Sequence, residues 1–168
     1  MSIQKFKNSQ NNLDQQSGFT LIELLISVMI LAIFIGVSVT RTELKTNRFT
    51  RQIAIDRITA DIDLIRSMAF ARNDTLTIVF SINNNSYSFY SGPDSERFIM
   101  EEIPDSDNGT VTFSNSVLSN INISSVNFNN SSELQFLPSG TVKSGGTVLI
   151  DNSVTINVSD LTGQWSVN

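Results

Sequence analysis

The chain has 168 residues, enough for one ordinary domain or a small domain with an appendage, and its lack of cysteine and histidine excludes disulfides, thiol nucleophiles, Cys/His zinc sites and imidazole acid–base chemistry. Eleven basic residues face sixteen acidic ones, a net charge of −5, so no basic surface advertises a nucleic-acid partner. Charged residues are only 16% of the chain, and 24 Ser, 14 Thr and 18 Asn supply a surface of short polar side chains in their place.

Residues 1–18 are polar, with Lys5 and Lys7 as their cations. The run from Phe19 to Val39 that follows holds 21 residues and a single charge, Glu23. As a helix it would be about 31 Å long, the thickness of a bilayer's hydrocarbon core. A buried helix of a soluble protein is the alternative, but the 16 uncharged residues from Leu24 to Val39 favour a membrane helix. The run is not an ordinary secretory signal. It continues into Arg41-Thr-Glu-Leu-Lys45 with no small-residue cleavage site behind it.

The hexapeptide Gly18-Phe19-Thr20-Leu21-Ile22-Glu23, followed at once by the apolar helix, resembles the signature of type IV pilins and type II secretion pseudopilins. The resemblance implies that a prepilin peptidase cuts between Gly18 and Phe19 and that the new N-terminal Phe19 is methylated. It also implies that Glu23 neutralises the Phe19 amine of a neighbouring subunit during assembly. Read from position alone, Glu23 could equally snorkel to the headgroups, since a carboxylate in a membrane helix costs about 2.5–3.5 kcal/mol on insertion scales. Arg41, Lys45, Arg48 and Arg51 follow the run and would favour a cytoplasmic C-terminal domain by the positive-inside rule. The resemblance implies the opposite topology, N-terminus inside and globular domain in the periplasm. The cleavage signature is the more specific of the two signals, so this topology is expected.

Beyond the apolar run the helical pattern continues. Ile55, Ile58, Ile62, Ile65 and Met68/Ala69 recur at spacings of three and four, with Leu44 and Phe49 upstream, while Arg57, Asp61, Asp63 and Arg66 occupy other faces. No Gly or Pro interrupts the chain between Gly36 and Gly92, so one helix of about 50 residues from Phe19 to Arg72 is predicted, stopping at Asn73-Asp74. After Asp74 the period becomes two. Leu76, Ile78 and Phe80 face Tyr87 and Phe89 across an Asn83-Asn84-Asn85 hairpin loop. Further strands are predicted at Phe98–Ile103, Thr110–Phe113, Leu118–Ile123, Leu134–Leu137, Thr147–Ile150, Val154–Val158 and Trp165–Val167, with Asn127–Ser132 as a polar loop.

In the last third, Phe136-Leu-Pro138-Ser-Gly140, Gly145-Gly146, Val154–Val158 and Thr162-Gly163 resemble in order the turns and strands of GspH/FimT pseudopilins. Pro138 fixes φ, and Gly140 and the Gly145-Gly146 pair are expected to accept positive φ. The fold class read from the sequence is α+β, a long N-terminal helix with a membrane-spanning first half packed on a C-terminal antiparallel β domain. The expected division is a leader at 1–18, a membrane half of the helix at 19–39, an extracytoplasmic half at 40–73 and a GspH/FimT-like domain at 74–168.

Little else invites chemistry. Asp105, Asp107 and Gly109 fit a calcium loop only in part, because the distal bidentate Glu is absent. Ser139 has no His base, and Trp165 reads as a strand core position. No catalytic residue, metal or cofactor is expected. The function read here is a minor pseudopilin of a type II secretion system, in the inner membrane and the periplasmic pseudopilus. Its expected partners are a prepilin peptidase, other pseudopilins or pilins, and the inner membrane. The alternative is a FimT-like minor pilin in pilus biogenesis or DNA uptake, but Lys143 is the last cation of the chain, which leaves phosphate binding near the C-terminus unsupported.

Overall fold

The computed structural model describes residues 19–114 and 117–168, with the side chains of 37–47 left aside. Gly18, Lys5, Lys7 and the rest of the leader lie outside the described residues, as do the side chains of Arg41, Leu44 and Lys45. The chain divides into two compact units, residues 1–42 and 43–168. Helix α1, Leu21–Arg72, contributes to each.

In the first unit the large apolar side chains from Leu21 to Ile35 are all between 49% and 82% exposed. Among the described residues no helix is long and apolar enough to cross a membrane. The apolar run of the sequence goes on to Val39, past Gly36, where the described side chains of that run stop.

In the second unit α1 turns one apolar face inward. Ala54, Ile55, Ile58, Ile62, Ile65 and Ala69 are each no more than 3% exposed. The predicted stripe continues upstream less far than expected, because Phe49 is 69% exposed. The helix ends in a Schellman motif. Asn73 adopts the left-handed region (φ 52°), its amide donates to Phe70 O and the Asp74 amide donates to Ala69 O. Asn tolerates that conformation, which is why the stop falls where the sequence places it.

Among the described residues nine strands follow: β1 Leu76–Ser81, β2 Ser86–Ser91, β3 Phe98–Ile99, β4 Thr110–Thr112, β5 Ile123–Asn127, β6 Glu133–Phe136, β7 Gly146–Ile150, β8 Val154–Val158 and β9 Trp165–Val167. One antiparallel sheet has the order β3-β2-β1-β6, with β4 paired to the other half of β2. The second has the order β5-β7-β8-β9. The helix stripe, Ile78, Phe89, Leu134 and Phe136 of the first sheet and Val148, Ile150 and Ile156 of the second form one buried cluster. The architecture is α+β, a helix packed on antiparallel sheets.

The predicted strand Leu118–Ile123 is displaced. Leu118 and Ile121 are buried, but the Ile121 amide donates to Leu118 O in a turn, and β5 begins only at Ile123. Turn residues that fill a core imitate the apolar density of a strand. The strand predicted over Phe98–Ile103 shrinks to the two residues of β3.

Asn85, predicted as a loop residue, joins the two sheets. It holds a left-handed turn (φ 49°) and is 9% exposed. Its amide nitrogen donates to Ile121 O at 2.6 Å, and its amide oxygen accepts from the Ile123 amide at 2.9 Å. A buried donor or acceptor that loses its partner costs about 1–3 kcal/mol. Asn85→Gly keeps the turn but loses both bonds, so it should cost about that much in thermal unfolding of the detergent-solubilised chain. Asn84→Ala, at the exposed neighbour, should change stability by less than about 0.5 kcal/mol.

Candidate assembly and processing site

Phe19 and Glu23, two of the sequence-predicted processing and assembly residues, lie at the start of α1. Phe19 precedes the helix and is 84% exposed, while Gly18 lies outside the described residues. Thr20 is the N-cap. Its Oγ1 accepts the Glu23 amide at 3.3 Å, and its carbonyl accepts the amides of Glu23 and Leu24 at 3.1 and 3.2 Å. Glu23 therefore occupies the third helical position, where a carboxylate meets the positive end of the helix dipole. Its signal in the sequence, not among the expectations above, is Thr-x-x-Glu ahead of an apolar run. The Ser27 hydroxyl donates to Glu23 O at 2.7 Å and so satisfies a polar group within an apolar stretch. A helix segment with every large apolar side chain exposed marks a surface suited to interaction with another molecule.

The residues of the C-terminal turn motif build the fold. Phe136 is fully buried at the end of β6. Leu137-Pro138-Ser139-Gly140 closes through the Gly140 amide to Leu137 O at 2.8 Å, and Gly140 takes φ 76°. The Gly140 carbonyl accepts from Arg66 Nε of the helix at 3.2 Å. Gly163 (φ 64°) lies against Phe136, Val142 and Arg66, so Phe136, Gly140 and Gly163 meet at one stretch of α1. Gly145 and Gly146 stand apart, and the expectation of positive φ fails for both. Their glycine requirement is steric. A β-carbon on Gly146 would collide with the Asn127 carbonyl, and one on Gly145 with the Val158 carbonyl.

Several described side chains of α1 tie the helix to the β domain. Arg51 pairs with Asp151 at 3.1 Å, Asp63 accepts from Trp165 Nε1 at 2.9 Å, and Arg66 reaches Gly140. Trp165 is a strand residue as predicted but not a core one. It sits on the edge strand β9, 36% exposed, and latches that edge to the helix. A further tie departs most from the sequence reading. Asp61, placed among the outward faces, is only 5% exposed. Its Oδ2 accepts from the Tyr87 hydroxyl at 2.6 Å and from Arg57 Nε at 2.9 Å. Arg57 also reaches Asp105 Oδ2 and Pro104 O.

Burial pushes the Asp61 carboxyl up from its usual range, and the bonds from Tyr87 and Arg57 pull it only part of the way back. Burial and the neighbouring Asp61 push the Tyr87 hydroxyl well up, so it stays a donor. The residues considered for a calcium loop serve the protein itself, since Asp105 faces Arg57 and Asp107 accepts from Asn108. Ser139 Oγ lies 2.8 Å from Thr141 Oγ1. Among the described residues no three His, Cys, Asp or Glu are grouped to hold a metal ion.

The described cations are engaged from Arg51 onward. Arg72 pairs with Glu102, Arg97 with Glu133 and Asp94, and Lys143 with Asp94 at 2.8 Å. Hydrogen bonds from Lys143, Gln135 and Arg97 hold the Asp94 carboxyl well below the ordinary range. Residues 48–168 carry seven basic against thirteen acidic side chains. A phosphate chain would have to displace these internal pairs and approach a net negative surface.

The Asp61 site gives a pH prediction. Folding raises its pKa above the unfolded value near 3.9, so the folded state binds more protons in that window. Its contribution to stability is therefore greatest below that value and is lost as pH rises through the folded pKa. Unfolding midpoints measured upward from about pH 4 should fall for the parent chain relative to Asp61→Asn. A difference independent of pH would contradict this.

A family model for the prokaryotic N-terminal methylation motif matches residues 13–39, and one for the type II transport protein GspH matches residues 54–167. Two solved structures of the minor pseudopilin EpsH from the type 2 secretion system of Vibrio cholerae are similar in fold. One has a TM-score of 0.55 and 10% identity over 70% of this chain and 94% of that chain. The other has 0.54 and 10% over 69% and 93%. A comparison with curated protein sequences finds no match. The GspH match spans well over half of the 168 residues, and on that ground the chain belongs to the type II transport protein GspH family.

Proposed function

We propose that this protein is a minor pseudopilin, a subunit of the short periplasmic filament of a type II secretion system, where it supports protein export. Residues 1–18 are the leader, a prepilin peptidase cuts between Gly18 and Phe19, and Phe19 becomes the methylated N-terminus. The methylation motif matched over residues 13–39 supports this reading. Residues 19–39 hold the subunit in the inner membrane before assembly, and the domain at 74–168 lies in the periplasm. The observation that carries the reading is the pairing of an apolar, exposed helix segment with a GspH domain in one chain. Its work is mechanical. Apolar helix segments pack against those of other pseudopilins, and the β domain presents a polar outer surface. Minor-pilin DNA uptake is the weaker reading, because the cations from Arg51 onward are already engaged.

Glu23 has the specific assembly role. In low dielectric a carboxylate and an amine attract strongly and set register, which apolar packing alone does not do. Glu23→Ala should be inserted and cleaved like the parent chain but recovered with assembled pseudopilins at a small fraction of the parent level. Co-purification after cross-linking measures this, and incorporation at the parent level would contradict the role.

A further inference from the structure

Asn108-Gly109 is the one Asn-Gly pair of the sequence, and it forms the two-residue turn that leads into β4. Both residues have positive φ, 48° and 74°, as a tight hairpin turn of this type requires. The turn is closed from both sides: the Asp107 amide donates to Thr110 O at 2.8 Å, and the Thr110 amide donates to Asp107 O at 3.0 Å. Asn108 is exposed, whereas Gly109 is buried and its carbonyl accepts the Phe89 amide at 3.0 Å. Among the described residues β4 pairs with β2 alone.

An Asn followed by Gly is open to attack by its own backbone, because no β-carbon shields the glycine nitrogen from the Asn Cγ. Attack needs that nitrogen and Cβ on the same side of the Asn Cα–C bond. In the left-handed region they lie on opposite sides, and Cγ is out of reach. The folded turn therefore blocks a reaction that its sequence invites. Bringing the two atoms together means breaking the Asp107–Thr110 pair, so the rate follows the population of opened hairpin.

We propose that Asn108 is a site of spontaneous deamidation gated by the hairpin that joins it to β4, and that the isoaspartate it yields prevents the hairpin from closing again. The chemistry is independent of the assembly role proposed above. The Gly109 nitrogen bonds to Asn108 Cγ, the Cγ–Nδ2 bond breaks, and the Gly109 amide proton leaves with Nδ2 as ammonia. Water then opens the five-membered imide, its oxygen going to a carbonyl carbon and a proton to the Gly109 nitrogen. Breaking the Cγ–N bond leaves an aspartate in an unchanged backbone. Breaking the other C–N bond routes the main chain through Cβ and Cγ and lengthens the turn by one carbon. The turn has no room for it, since even a β-carbon on Gly109 would lie 2.6 Å from Met100 O and 2.8 Å from Ile99 Cγ1. β4 then loses its hold on β2, where Val111 pairs with Tyr87, the residue that donates to Asp61.

The test ages the full-length chain in detergent at neutral pH and follows the peptide containing Asn108 by mass spectrometry, which reads a gain of one dalton and separates isoaspartate from aspartate. The folded chain should convert at Asn108 ahead of Asn84, Asn130 and Asn152, and at least about ten-fold more slowly than the same chain with its β domain unfolded in urea. Ser88→Ala removes the 2.9 Å hydroxyl bond between Ser88 and Thr110 and should speed conversion about five-fold. Asn108→Gln, which would need a larger ring, should show no gain at that position. In the isoaspartate fraction the Phe89 amide, whose acceptor is Gly109 O, should exchange faster than in the fresh chain. Equal rates in folded and unfolded chain, parent-rate conversion in Ser88→Ala, or conversion no faster at Asn108 than at the other asparagines overturns the gated site. Unchanged Phe89 exchange in the isoaspartate fraction overturns the claim that the hairpin stays open.

Discussion

Ile55, Ile58, Ile62 and Ile65 form the face on which the β domain closes. Each is almost wholly removed from water, and residues from both sheets join them in a single cluster. At about 1.5–3 kcal/mol for a fully buried isoleucine, this stripe is comparable to the net stability of a small domain. A chain without cysteine has no cross-link to fall back on, so strand pairing and this burial carry the fold. The polar ties at Arg51, Asp61, Asp63 and Arg66 fix the rotation of the helix that presents the stripe. Truncating an isoleucine here would cost about 2–5 kcal/mol, whereas an exposed pair such as Arg72–Glu102 contributes at most about 1 kcal/mol.

That division of labour explains how one helix serves two environments. The apolar face of residues 54–69 is covered by the chain's own sheets, and residues 21–35 leave their apolar side chains exposed. In the proposed account lipids cover those side chains first and neighbouring pseudopilin helices later. The charge pattern agrees. The domain's cations are consumed by internal pairs, and the surplus of carboxylates keeps its surface solvated and poorly suited to nucleic acid.

Much of this was legible in the sequence because the signals were periodic or punctuated. The isoleucine spacing located the buried face, Asn73 located the helix end, and β8 and β9 fall where they were predicted. The misreadings have physical causes. Asp61 looked solvent-facing because a carboxylate normally is, and its burial depends on Tyr87, 26 residues away in sequence, supplying a hydroxyl. Leu118 and Ile121 imitated a strand because any core-filling segment is apolar. Gly145 and Gly146 suggested turn geometry, but close approach of distant backbone, invisible to local pattern, is what requires them. At the candidate site, the proposed roles of Gly18, Phe19 and Glu23 rest on a short motif, which a family model for the N-terminal methylation motif matches over residues 13–39. The Thr20 cap has its own local signal in Thr-x-x-Glu, a pattern that hydropathy and periodicity do not register.

The central claim is that the apolar helix is retained and begins the mature protein. Mass spectrometry of the N-terminal peptide of the chain purified from host inner membranes tests this most directly. The account predicts a peptide that begins at N-methylated Phe19, with residues 20–39 still attached. A chain that retains Met1, or one whose first residue lies beyond Val39, would contradict it.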